Sequence, residues 1–443
     1  MKTAYSYAQI GNIAYPVLLT LLVQNLIQVI NTAFLGHLGE VELGASAIAG
    51  IYYIAVFTVA FGFSMGSQIL IGRRNGEKNY DKIGEIVLFG TIFLWGMALF
   101  IFGFTKTFSG FILRKILSSE HILQASLVYL DWRIWGLFFS TVNLMFRAFF
   151  VGITRTKVLT FNAVTMALSN VFFDYVLIFG HWGFPALGIG GAALSSVISE
   201  AVSTVFFFIY LLNVVDLKKY GFIGIIWKQL RVIKHILDIS FSLMIQNFLS
   251  LSTWLLFFLV IEHKGETSLA ISNIIRSLYM IIGIPVYALS ATASTLVSNT
   301  IGAGRQKEVI PLIWKIARLS LSIVSVLAIC LFLFPEWALS IYTSDRELVR
   351  ESVPSLYVIL LLLPILAIGN VFFQSISGTG NTRSALGIEI TTLTLYCIWM
   401  WFVAIYLKAP LYICWTTELI YFLFIGIFSF IYFKRAQWQN KAI

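Results

Sequence analysis

Charge is scarce in this sequence. Only 11% of its 443 residues are Asp, Glu, Lys or Arg, against about 25% in an average soluble domain. A water-soluble globular fold is therefore excluded as the working reading. Cysteine is scarcer still. Cys330, Cys397 and Cys414 all lie in apolar runs, so neither a disulfide framework nor a zinc spacing follows, and buried thiols act as small hydrophobes. The five histidines, His37, His121, His181, His235 and His263, lie in loops or at the ends of apolar runs and form no HExxH. That removes the commonest helical zinc site. No GxxxxGK[ST] occurs, so Gly188, Gly190 and Gly191 are read as permitting close helix packing rather than as a phosphate loop. The strict polar–apolar alternation of a membrane barrel is also missing. With no paired acid, metal triad or nucleophile beside a base, an enzyme is not expected.

Apolar side chains are abundant: 59% of residues are hydrophobic and 16% aromatic. The mean hydropathy is +0.89. A membrane span needs about 20 mostly apolar residues. Twelve such runs occur, at roughly 10–35, 43–71, 83–106, 122–151, 158–180, 188–213, 236–261, 268–301, 310–334, 351–377, 384–407 and 410–433. Backbone groups find no water in lipid, so these runs are predicted to be helices. The N-terminal segment lacks a small-residue cleavage site, and the first run is expected to remain in the mature protein.

The formal net charge of +10 is read as loop topology rather than as affinity for nucleic acid. Placed on the twelve runs, eighteen Lys and Arg fall on the side of the termini, among them Arg73, Arg74, Lys78, Lys82, Arg155, Lys157, Arg305 and Arg383. Seven fall on the other side: Lys106, Arg114, Lys115, Lys264, Arg346, Arg350 and Lys408. By the positive-inside rule both termini are cytoplasmic. Between the sixth and seventh runs, IIWKQLRVIK places Ile226, Trp227, Leu230 and Ile233 at helical spacing. A helix along the cytoplasmic interface is expected there, acting as a linker between halves rather than as a lipid sensor.

The order of motifs in the first half recurs in the second. QNLIQVINTAFLGHLGEVELGASAI answers loosely to QNFLSLSTWLLFFLVIEHKGETSLAISNI, GSQILIGRRNGEKN to VSNTIGAGRQKEV, and FVGITRTKVL to ISGTGNTRSAL. Six spans per half is an even number, so both halves enter the membrane the same way, as a parallel repeat. The expected architecture is an all-α polytopic membrane protein whose twelve transmembrane helices form two parallel six-helix repeats around a central cavity. Its expected parts are an N-terminal lobe at 1–213, a linker helix at 214–235, a C-terminal lobe at 236–434 and a cytoplasmic tail at 435–443. Such an architecture belongs to transporters.

The run NVFFDYVLIFG places Asp174 inside a span. A carboxylate at the centre of a bilayer costs about 3 kcal/mol on insertion scales, and intramembrane acids are functional by default. Asn170 stands four residues before it, on the same helical face. The alternative is that Asp174 only pins helices together. Glu200, Glu389 and Glu418 also sit in or near apolar runs. Glu200 and Glu389 either serve a cationic substrate or proton relay, or pair with Arg147, Arg276 or backbone groups; for Glu418 the pairing role is favoured. Pro16 removes a backbone hydrogen bond from the first span and is a hinge candidate, with a static kink as the other reading. Tyr15 beside it is the aromatic singled out as a substrate contact, since aromatic faces hold cations.

Together, NTAFLGHLGEVELGASAIAG after a proline-bearing first span, NVFFDYVLIFG followed by LGIGGAALSSVIS, the loops GITRTK and GTGNTR, and IGAGR after the eighth span resemble the multidrug and toxic compound extrusion (MATE) family over nearly the whole chain. The resemblance implies a twelve-span antiporter that expels organic, often cationic or amphipathic, compounds in exchange for H+ or Na+. It implies an ion site at Asp174 and Asn170, closed by Asn31 and Ser196, and bending of the first helix at Pro16. Two departures stand out. Asn31 occupies the place of an acid usual in the first span, and Ser250 or a neighbour occupies that of a glutamate found in many members. Ion coupling is therefore expected in the N-terminal half. No cofactor is expected, and no metal beyond Na+ at Asp174. The expected partners are small organic substrates and membrane lipids, the expected state a monomer, and the expected location a plasma membrane, the inner membrane of a bacterium. A flippase or exporter of a lipid-linked or metabolite substrate from the same superfamily is the alternative. It would be expected to carry several arginines in its cavity, and the in-span arginines are only Arg133, Arg147, Arg276 and Arg318.

Overall fold

The structure, a computed structural model, describes residues 5–223, 231–436 and 438–439. Every regular element among them is helical. In chain order they are α1 (Tyr7–Leu38), α2 (Glu40–Gly76), α3 (Asp81–Ile116), α4 (Glu120–Arg133), α5 (Gly136–Gly152), α6 (Lys157–Phe179), α7 (Ile189–Val214), α8 (Arg231–Glu262), α9 (Glu266–Gly302), α10 (Val309–Leu333), α11 (Pro335–Ser340), α12 (Arg346–Gly378), α13 (Thr382–Met400), α14 (Leu411–Cys414) and α15 (Thr416–Arg435). A wider, π-type turn at Trp401–Tyr406 extends α13. Eleven helices are long and apolar enough to cross a membrane, and twelve spans result when α4 and α5 are taken as one. The protein is thus an all-helical, multi-pass membrane protein.

The fourth span departs from the uninterrupted run expected at 122–151. It is bent by 50° between α4 and α5. Two residues flank the break. Arg133 ends α4 and turns its guanidinium onto Glu200 of α7. Gly136 opens α5, and a Cβ there would lie 2.2 Å from Arg133 Nη1 and 2.4 Å from Glu200 Oε2. The buried ion pair lies beside the bend, and a side chain at position 136 would have to displace its charged ends.

By its contacts the chain divides into two compact units, Leu19–Met244 and Met1–Leu18 with Ile245–Ile443. The cuts fall inside α1 and α8, so the division differs from one drawn along the chain at 213 and 236. In the first unit Ser240 of α8 donates to the Phe63 carbonyl of α2 at 3.1 Å. In the second, Ile10, Ile13 and Ala14 of α1 join one large apolar cluster with residues of α8, α9, α10, α12 and α15. Pro16 lies within α1, which stays helical through it. Pro285 sits likewise inside α9, and Pro364 inside α12. Of the linker expected at 214–235, Ile226, Trp227, Lys228 and Leu230 lie outside the described residues, and Arg231 already opens α8.

Candidate functional site

In the unit Leu19–Met244, α6 carries Asn170 and Asp174 one turn apart, and both are buried. Helix α7 packs on α6 so closely that a Cβ at Gly191 would lie 2.4 Å from the Leu177 carbonyl oxygen. Glycine thus sets the spacing of the two helices. One turn beyond it, on the same face of α7, Ser195 donates its hydroxyl to Asp174 Oδ1. The expected partner, Ser196, is rotated about 100° further round the helix. Its hydroxyl bonds back to the Ala192 carbonyl at 3.1 Å, and the residue lines a cavity instead. The serine touching the carboxylate is therefore Ser195, because the helix phase fixed by Gly191 turns that residue inward.

Asn31 comes from α1. With its amide nitrogen facing the acceptors, the orientation the hydrogen-bond network requires, it donates to Asp174 Oδ2 at 2.6 Å, Asn170 Oδ1 at 2.7 Å and the Ile27 carbonyl at 3.2 Å. Three elements thus converge on one carboxyl. Asp174 is wholly buried, and no Lys, Arg or His forms an ion pair with it among the described residues. The Asn170 amide nitrogen is buried without a hydrogen-bond partner. Asn31, Asn170 and Ser196 line one side of a cavity of about 410 Å³.

Glu200 faces the same cavity but is already paired. Arg133 Nη2 meets its Oε1 at 2.7 Å and Nη1 meets its Oε2 at 3.0 Å, a two-pronged contact. The guanidinium carbon also sits 3.7 Å from the ring centroid of Tyr53. Of the two roles the sequence left open for Glu200, pairing is the one seen, but its partner is Arg133 beside the α4–α5 break rather than Arg147, Arg276 or a backbone group. Gly136 three residues after Arg133 was the signal for it. A smaller cavity of about 180 Å³ lies alongside, lined by Thr20, Asn143, Arg147, Asn162 and Ser203. Gln24, Phe57, Met166 and Glu200 line both.

The other unit holds its own polar pocket. Glu389 of α13 accepts from Ser250 of α8 at 2.5 Å and from the Tyr421 hydroxyl at 2.9 Å, both on Oε1. Its Oε2 is buried with no partner. An acid is missing from the seventh span, yet a carboxyl arrives beside Ser250 from α13. Glu418 accepts from the Tyr396 hydroxyl at 3.1 Å, rather than from Arg147, Arg276 or backbone. A cavity of about 370 Å³ is walled by Trp254, Tyr279, Tyr287, Tyr396, Glu418 and Tyr421. Tyr15 is 60% exposed and lines none of these three cavities. Among the described residues no cluster of three or more His, Cys, Asp or Glu has the form of a metal site. A cation at Asp174 would be held by one carboxylate and neutral oxygens.

These features, two helical halves each with intramembrane acids beside a polar cavity, define a membrane transporter. The MatE family model matches residues 16–176 and again 239–403. The chain belongs to the MatE family, the multidrug efflux transporters of the MATE class, and is a transporter rather than an enzyme. It is 25% identical over 437 residues to the probable multidrug resistance protein NorM of Thermotoga maritima, covering 97% of this chain and 93% of that one. To the probable multidrug resistance protein YoeA of Bacillus subtilis it is 25% identical over 405 residues, covering 87% and 82%. Among solved structures, a MOP superfamily transporter from Pyrococcus furiosus superposes with a TM-score of 0.88 at 16% identity, over 98% of this chain and 96% of that one. The Vibrio cholerae MATE transporter VcmN, as a variant, does so with 0.87 at 16% identity, over 98% of each.

Proposed function

We propose that this protein is a cation-coupled antiporter that exports small organic, amphipathic compounds, cations among them, by alternating access, with Asp174 as the coupling group. The six-span lobes at 1–213 and 236–434 would be its two working halves, in a bacterial inner membrane with both termini cytoplasmic. The observation that carries this is a wholly buried carboxyl that, among the described residues, has no basic partner and is held by Asn31 and Ser195. An intramembrane acid beside a cavity marks an ion or proton pathway by default, and Asp174 is the one that Asn31 of the first span reaches. Here the counter-charge is left to a mobile H+ or Na+. The ion shifts the balance between the two facing states only by its differential affinity for them. Asn31 and Asn170 supply neutral oxygens for Na+ or a hydrogen-bonded path for H+. The tyrosine-walled cavity beside Glu418 suits a flat organic cation. A lipid-linked pyrophosphate would call for a cluster of arginines, whereas Arg133 is spent on Glu200.

Export of a dye panel from inverted vesicles, with H+ and Na+ gradients imposed separately, tests the assignment. The Asp174→Asn protein should reach the membrane folded and lose gradient-driven export. Undiminished export by that variant sinks it, and the gradient that drives the wild type names the ion.

A further inference from the structure

Of the two charged side chains that line the smaller cavity of the unit Leu19–Met244, Glu200 is paired and Arg147, among the described residues, is not. Arg147, in the last third of α5, lines the 180 Å³ cavity. Among the described residues it makes no hydrogen bond and no ion pair. Its guanidinium carbon lies over the Phe61 ring, 5.2 Å from the centroid. An aromatic face attracts a cation but accepts none of the five N–H bonds that a guanidinium offers. The acid that shares the cavity, Glu200, has both oxygens taken by Arg133. Arg133 and Glu200 cancel, and the cavity keeps one net positive charge. Intramembrane charges that face a cavity mark substrate or ion pathways, and Arg147 is partly buried at the wall of this one. Gln24 points the same way: it lines this cavity, is exposed to it, and has no hydrogen-bond partner among the described residues.

We propose that Arg147, assisted by Gln24, binds a carboxylate group on the exported compound. The charge count selects that group. One guanidinium matches one carboxylate in a planar, two-pronged contact, whereas a phosphomonoester would bring about 1.5 to 2 negative charges against a single arginine. Thr20, Asn143, Ser203 and the Phe61 and Phe207 rings surround the position, so an amphipathic molecule can lay its apolar body on aromatic walls beside its charged end. The contact assigned here is the one between Arg147 and the carboxylate end of such a molecule. This rests on the exporter reading but not on Asp174 being the coupling group.

Equilibrium binding to the purified full-length protein separates the two, because it needs no gradient. The probes are rhodamine B, which carries a free carboxylate, and its ethyl ester, read by fluorescence polarisation. The wild type should bind the acid about tenfold more tightly than the ester, the scale of a charge-assisted hydrogen bond. Arg147→Gln should bring that ratio to about one, chiefly by weakening binding of the acid. Gln24→Ala should reduce it by a smaller factor. If Arg147→Gln loses ester binding or elutes as aggregate, Arg147→Lys takes its place. It keeps the charge without the planar fork and should retain part of the preference. Equal binding of acid and ester by the wild type, or an undiminished preference in Arg147→Gln or Arg147→Lys, overturns the proposal.

Discussion

Glu200 and Arg133 are a buried pair whose two side chains are 9% and 12% exposed. Removing one partner of such a pair strands the other charge, at a cost on the order of 3–5 kcal/mol, while replacing both with apolar groups of similar size is often neutral. Glu200→Gln should therefore lower the melting temperature of the detergent-solubilised protein markedly, and Arg133→Met combined with Glu200→Leu should recover most of the loss. A double variant no more stable than the single one would remove the ion pair as the cause. In the other unit, Tyr421→Phe takes one donor from Glu389 and leaves Ser250. A loss of about 1 kcal/mol follows, seen as a small fall in melting temperature. Single residues were unevenly legible in the sequence. Asp174 announced itself because a carboxylate in an apolar run breaks composition. Ser195 did not: two adjacent serines differ only in helix phase, and phase is set by how α7 lies on α6. Arg133 was visible as an in-span arginine, but its partner depended on a bend.

Helix α7 is held against α6 by an absence of side chain at Gly191. Substituting valine there would drive its Cβ into the Leu177 carbonyl and part the helices, so Gly191→Val should lose both thermal stability and gradient-driven export. Gly191→Ala should show the same defects in milder form. If Gly191→Val exports normally, the close approach of the two helices is not what places Ser195 on Asp174. The break between α4 and α5 shows the complementary limit of sequence patterning. Hydropathy reads 122–151 as one run because a single arginine and a glycine barely alter the average. Those same two residues flank the bend, and the membrane tolerates a broken helix only where neighbouring groups satisfy it. The helical character of the spans was legible for the opposite reason: it follows from backbone chemistry in lipid, whatever the neighbours are.

At the scale of the molecule the most legible properties were the span count and the duplication. Both are summed over many residues, and the family match over 16–176 and 239–403 repeats the same two-fold pattern. The contact units were not legible. Their cuts at Leu18 and Met244 lie inside α1 and α8, where the apolar period runs on unchanged. The distribution of Lys and Arg predicts both termini inside. Green fluorescent protein fused at the C-terminus should fluoresce, and alkaline phosphatase fused after Thr343 should be active; the reverse pattern would invert the topology. The pairing of Arg133 with Glu200 has one more consequence. With that acid neutralised internally, a cation taken up at Asp174, as proposed, would alter the electrical charge of its lobe by one full unit. A charge carried across the whole bilayer gains about 2.3 kcal/mol per 100 mV. Exchange of one entering cation for one departing zwitterion would thus generate current, and the resting potential of the cell would power the pump even where the ion's concentrations on the two sides are equal.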